Sequence, residues 1–169
     1  GRRMRIMGID PGTAICGYGI IDVVGSKLVP VTYGSIITTP DKTDSERLEI
    51  LFNDLSDLLE KYKPNKFGIE KLFFNRNVTT AITVAQARGV LLLAAEQQGL
   101  PIYEFTPPQI KQAVVGYGQA TKQQVIKMTM NILGIREKIK LDDTADALAC
   151  AICTAHSSQG ERLRRRVQV

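Results

Sequence analysis

The sequence predicts a single α/β domain built on a five-stranded mixed sheet, three antiparallel strands followed by parallel ones, with helices on its flanks. Three observations carry that prediction. A short apolar run that stops at Asp10-Pro11-Gly12 is followed by two β-rich runs separated by Gly25-Ser26, the pattern of an antiparallel meander. Beyond residue 65 the order becomes strand, long helix, strand, which needs a crossover connection and hence a parallel pair. Finally, 169 residues with 44% hydrophobic and 23% charged side chains suit one buried core better than two small domains or a disordered chain.

Each element follows from local chemistry. Residues 5–10 form the first strand, ended where Pro11 fixes φ and Gly12 frees it. Residues 15–24 and 27–38 are the second and third. After Pro40, residues 43–62 carry Leu48, Leu51, Phe52, Leu55, Leu58 and Leu59 at three- and four-residue spacing, an amphipathic helix that Asp44 or Ser45 can cap. Pro64 closes it, and residues 66–70 form a short buried strand whose last residue, Glu70, is an acid. Residues 78–98 are helical and stop at Gly99; residues 101–105 are the last strand. Pro107-Pro108 opens a short helix to about Val115, residues 116–118 form a loop, and residues 121–133 are helical from near Ala120 or Thr121. The last helix covers residues 142–156, apolar at Ala145, Leu148, Ala149 and Ile152. Residues 158–169 are basic without an apolar repeat and read as a loose tail. Gly1-Arg2-Arg3 reads as a leftover of cloning ahead of a natural start at Met4, so the expected domain is residues 4–157.

Apolar runs such as residues 90–95 fall well short of the ~20 residues that span a bilayer, and no transmembrane helix is expected. Cys16, Cys150 and Cys153 lack the second pair or nearby histidines that a zinc site needs; reduced thiols fit the cytoplasm. The net charge of +5 favours a polyanionic partner, because lysine and arginine gain affinity by releasing counterions from phosphates.

Asp10 and Glu70 both end apolar strands, and parallel neighbours would bring the two carboxylates to one sheet edge. Such a pair repels unless a cation occupies the gap, and hard carboxylates select Mg²⁺ or Mn²⁺. The final helix opens Asp142-Asp143-Thr144-Ala145-Asp146. Residues three or four apart share a helix face, so Asp146 can point with Asp143 or with Asp142, and periodicity does not choose between them. One of the two, Asp142 by preference, can instead cap the helix. Four converging carboxylates would hold two metal ions ~4 Å apart for phosphodiester hydrolysis.

Gly8-Ile9-Asp10-Pro11-Gly12 with Gly17-Tyr18-Gly19, Ile69-Glu70 with Phe73, Gln86-Ala87-Arg88-Gly89-Val90, residues 114–122 and residues 143–149 together resemble, in order, the motifs of the RuvC family of Holliday-junction resolvases. The resemblance spans Met4 to about His156. It implies an RNase H-like fold and an endodeoxyribonuclease that nicks four-way DNA junctions symmetrically in recombination and repair. It implies Asp10, Glu70, Asp143 and Asp146 as catalytic metal ligands, choosing Asp143 over Asp142, and two Mg²⁺ ions per site with Mn²⁺ as a substitute. Lys111 and Lys122 resemble family lysines near the scissile phosphate. Phe73 is expected to stack on an unpaired base and Arg76 to meet phosphate, while Arg88 either binds phosphate or braces its helix. A homodimer is implied, with the residue 78–98 helix as a possible surface, and so are the branch-migration proteins RuvA and RuvB as partners. His156, near a helix end, reads as a surface residue that complements the helix dipole.

Three other readings compete. Gly-Ile-Asp-Pro-Gly-Thr also suits the phosphate loop of actin-like ATPases, but 169 residues leave no room for the second domain that closes over ATP. Small nucleases that process ribosomal RNA precursors share the sheet and the acids but lack the residue 116–122 pattern. A non-catalytic junction-binding module would gain nothing from clustered carboxylates facing a polyanion.

Overall fold

Side-chain alternation along the strands decides how the layers form. In the computed structural model, which describes residues 3–72 and 78–157, strands β1 (Met4–Asp10), β2 (Ile15–Val24) and β3 (Lys27–Ile37) make the antiparallel meander. Strands β4 (Lys66–Glu70) and β5 (Ile102–Phe105) extend it in parallel, giving the order β3-β2-β1-β4-β5. One face presents Met7, Ile9, Cys16, Ile20, Phe67 and Ile69 to helices α1 (Asp44–Tyr62) and α2 (Val78–Gln97). The other presents Ile6, Ile21, Tyr103 and Phe105 to α3 (Pro107–Val115), α4 (Lys122–Leu133) and α5 (Asp142–His156). Two apolar layers thus cover both faces, as a sheet with a parallel half requires.

Helix starts depart from expectation in detail. Thr43, not Asp44 or Ser45, caps α1: its side chain accepts from the Glu46 amide while the Glu46 side chain accepts from the Thr43 amide. The same reciprocal box recurs at Thr106/Gln109 and Thr121/Gln124, satisfying amides that would otherwise be orphaned. A second point concerns α2. By length and composition alone its 20 residues could cross a membrane, a test that the core helix of a soluble protein also passes, so the expectation of no transmembrane helix is not overturned. Thr79, Thr80, Thr83, Gln86, Arg88 and Gly89 interrupt the apolar residues, which is why reading uninterrupted runs misses it. The helix packs on the sheet through Ala81, Ala87, Leu91, Ala94 and Ala95.

A row of glycines sets how close α5 comes to the sheet. Gly8 pairs with Gly19 on one side and with Gly68 on the other, so the three lie side by side beneath the helix. A Cβ on Gly8 would collide with the Ala147 carbonyl oxygen, one on Gly19 with the Leu148 side chain, and one on Gly68 with Thr154 Oγ1. Gly17 stands in the same way beneath the Asp143 carbonyl. Helix α5 therefore lies against bare backbone, its Ala145, Ala147, Ala149 and Ala151 all buried. At Gly68 the opposing atom belongs to a side chain, which gives a test. Gly68→Ala is expected to cost about 1–3 kcal/mol through overpacking, and adding Thr154→Ala to recover part of that loss, as read from urea denaturation midpoints.

Candidate active site

The register brings the first two acids together. Ile9 pairs with Ile69 in the parallel β1–β4 ladder, so Asp10 and Glu70 come next at the same edge. Because Ile9 and Ile69 face α1 and α2, alternation turns both acids toward α5. The other two come from the start of α5, docked over Gly17. The Asp143 carboxyl lies within hydrogen-bond reach of Asp10 should one of the two hold a proton, and Asp146, one turn on, adds its charge to both Asp10 and Glu70. Asp142 stands at the rim, its side chain 63% exposed. The N-cap is Leu141, with no side-chain cap bond, so Asp142 complements the helix dipole from the first turn rather than capping.

The electrostatics are those of a crowded set of acids. Burial, then the charges of Asp146, Asp143 and Glu70, push the Asp10 carboxyl up to about 9, and the hydrogen bond with Asp143 acts in the same direction. Glu70 is raised by burial and by Asp146, against the pull of Lys111 and Lys122. Asp146 is likewise raised by burial, against Lys122. Burial also pushes Cys16, beneath this edge, up to about 12. A site that makes ionised carboxylates this costly favours whatever cation offsets the charge.

Both predicted lysines reach the acids. Lys122 Nζ lies 3.5 Å from Asp146 Oδ2 and 3.7 Å from Asp142 Oδ2. A cavity of about 220 Å³ is lined by Glu70, Lys111, Lys122 and Asp146 among others. A larger one, about 830 Å³, opens between Asp10, Glu70, Lys111 and the facing walls of α2 and α3. Phe73 and Arg76 lie outside the described residues. Arg88 braces: it ion-pairs with Glu104 and donates to the Glu70 backbone carbonyl. His156 sits exposed in the last turn of α5, away from the acids in sequence.

Among the described residues no three His, Cys, Asp or Glu side chains are gathered tightly enough to hold a metal ion as they stand. Asp10 lies beside Asp143 and Asp146 is drawn to Lys122, so the donors are divided between two partnerships. The donor chemistry nonetheless fits a hard divalent ion: four carboxylates at one buried edge, each pushed toward the neutral form where its shift is resolved, with oxygen donors only. Two features here escape sequence reasoning, the glycine row and Glu104. A third is a groove of about 430 Å³ between α4 and the start of α5, lined by Lys127, Arg136 and Lys138 and bordered by Asp142.

Known proteins are similar to this chain over most of its length. The family model described as Crossover junction endodeoxyribonuclease RuvC matches residues 6–154. The RuvC protein of Heliobacterium modesticaldum is 55% identical over 154 residues, covering 91% of this chain and 95% of that one; its Clostridioides difficile counterpart is 49% identical over 97% of both. Among solved structures, Thermus thermophilus RuvC in complex with Holliday junction substrate is similar at a TM-score of 0.85 and 35% identity, covering 90% of this chain and 93% of that one.

Proposed function

The chain belongs to the RuvC family of crossover junction endodeoxyribonucleases, and from that premise we propose that its acidic edge resolves four-way (Holliday) DNA junctions by metal-dependent phosphodiester hydrolysis in recombination and repair. The observation that carries this reading is the meeting of Asp10, Glu70 and Asp146 with Asp143 at one sheet edge beside Lys111 and Lys122. A junction-binding module has no use for that cluster, and the matched family supports neither such a module nor processing of ribosomal RNA.

Asp10, Glu70, Asp143 and Asp146 would hold two Mg²⁺ ions, with Mn²⁺ as a substitute. Bound there, the ions supply Lewis acidity to the scissile phosphate. The chain's own groups do the rest. With the carboxylates engaged as ligands, the Lys122 ammonium would be free to face the phosphate. Lys111, on the other wall, meets charge developing on the phosphate oxygens. Phe73 stacks on an unpaired base and Arg76 holds phosphate, so that the junction centre lies over the acids.

The protein works as a homodimer, a two-fold molecule on a two-fold substrate. Support comes from α2, where Val78, Ile82 and Leu93 are 67%, 53% and 49% exposed. Together with exposed Gly89 they recur at helical spacing on one outward stripe, and water-exposed apolar stripes of this kind mark protein contacts. RuvA and RuvB are partners on the strength of family membership. Residues 4–157 form the nuclease unit and residues 158–169 a basic tail outside the described residues. The setting is the cytoplasm, where Cys16, Cys150 and Cys153, all buried and free, stay reduced.

The test is incubation with an end-labelled synthetic four-way junction and a linear duplex of matched sequence, each with Mg²⁺ or with EDTA. Paired symmetric nicks in the junction alone, lost in EDTA, are expected. A junction bound but uncut across a range of sequences and metals would overturn the catalytic reading.

A further inference from the structure

Helix α2 packs on the sheet face opposite the four acids, yet one of its side chains reaches their edge. Arg88 Nε donates to the Glu70 backbone carbonyl at 3.3 Å, and the same guanidinium is ion-paired with Glu104. That carbonyl shares a peptide unit with the Lys71 amide, which donates to the Phe105 carbonyl at 2.8 Å. The peptide that follows Glu70 is therefore gripped at both ends, by β5 through its N–H and by α2 through its C=O. Glu104 lies in β5 opposite Ile69 and holds the guanidinium from beneath the sheet.

Stability alone is a poor reason for this arrangement. Arg88 and Glu104 are only 15% and 16% exposed, and replacing such a buried pair with apolar residues is often neutral or stabilising. Its geometry is that of a group behind a metal ligand: a rigid fork with one branch anchored and the other on the ligand's own backbone. Arg88 also lines the cavity shared by Asp10, Glu70 and Lys111.

We infer that Arg88, held by Glu104, is a positioning residue that fixes the Glu70 peptide and so sets where the Glu70 carboxylate meets a divalent ion. The inference rests on Glu70 being a metal ligand. It assigns Arg88 no contact with DNA.

The full chain is titrated with Mn²⁺ while free Mn²⁺ is followed by electron paramagnetic resonance, and urea midpoints are measured on the same samples. Arg88→Met is expected to weaken Mn²⁺ binding by about 10- to 100-fold, the usual effect of losing such a partner, and junction binding in EDTA to persist. The decisive variant combines Arg88→Met with Glu104→Leu, which removes the pair without stranding a charge. Its urea midpoint is expected to match or exceed that of the wild type while Mn²⁺ affinity stays reduced. Unchanged Mn²⁺ affinity in that folded double variant overturns the inference and makes the pair structural. Glu70→Gln, run alongside, separates the two ideas. If it weakens Mn²⁺ binding and the double variant does not, only the positioning role falls; if it too has no effect, Glu70 is not a ligand and both fall. Glu104→Gln, which keeps an acceptor for Arg88, is expected to weaken Mn²⁺ binding less than Arg88→Met.

Discussion

Asp10→Asn is expected to abolish junction cleavage and at the same time to raise the thermal midpoint of the metal-free protein. Both effects have one origin. Asp10 is pushed from the ordinary 3.8 up to about 9 by burial and by three neighbouring acids. Its folded value thus lies above its unfolded one, so ionising it opposes folding. Below about pH 4 the group is protonated in both states and the penalty vanishes; it grows as pH rises toward 9. An asparagine at this position carries no such penalty. Melts in EDTA at pH 5, 7 and 8.5 are expected to show a gain for the variant that widens with pH, about 2–4 °C for each kcal/mol in a domain of this size. Cleavage, in contrast, is expected to fall by more than the about 10- to 100-fold that follows loss of a group behind a ligand. A pH-independent difference in midpoint would mean that Asp10 is not under the strain of its neighbours. This is the usual exchange of stability for activity at a charged site, and it implies that a divalent ion binds by displacing a proton.

Gly17→Ala is the second large effect, and it acts without touching a titratable group. The added methyl would enter the space of the Asp143 carbonyl oxygen, carbonyl carbon and the Thr144 amide, all backbone, so no rotamer change relieves the collision. The first turn of α5 must lift, and Asp143 and Asp146 rise with it, away from Asp10 and Glu70. Displacements near 1 Å at a reacting centre cost about 10²-fold in rate. Cleavage at saturating Mg²⁺ is therefore expected to fall by at least about that factor in the folded variant, beyond the about 1–3 kcal/mol lost to overpacking. Gly68→Ala serves as the control, since Thr154 lies about three turns along α5 from Asp143 and about two from Asp146. Equal losses of activity in the two variants at matched stability would mean that the glycines merely hold the fold together.

Much of this architecture is legible in the sequence because its signals are local. Apolar runs, Gly25-Ser26, the helical spacing of leucines and the turn at Pro11-Gly12 each act within a few residues, and the five strands fall within a residue or two of their expected limits. Asp10 and Glu70 are legible for the same reason: each ends a strand, and parallel strands align their ends. Between Asp142 and Asp143 periodicity is silent, since both lie within reach of Asp146 on the helix. What separates them is how α5 docks over Gly17, a long-range fact. The glycine row is hidden in a similar way. Residues 8, 19 and 68 meet only once strand register is known. Arg88 and Glu104 belong to a helix and a strand whose contact depends on packing, so neither the brace nor its partner can be read from spacing. The cap at Thr43, in contrast, was available locally, with Glu46 three residues on.

The most direct measurement is anomalous scattering from Mn²⁺ in crystals of the protein bound to a junction, with Asp146→Asn treated identically. Two Mn²⁺ peaks among Asp10, Glu70, Asp143 and Asp146 in the wild type, at least one of them lost in the variant along with cleavage, are the expected result. Mn²⁺ bound elsewhere, or an Asp146→Asn protein that still cuts the junction, would contradict a catalytic centre built from these four acids.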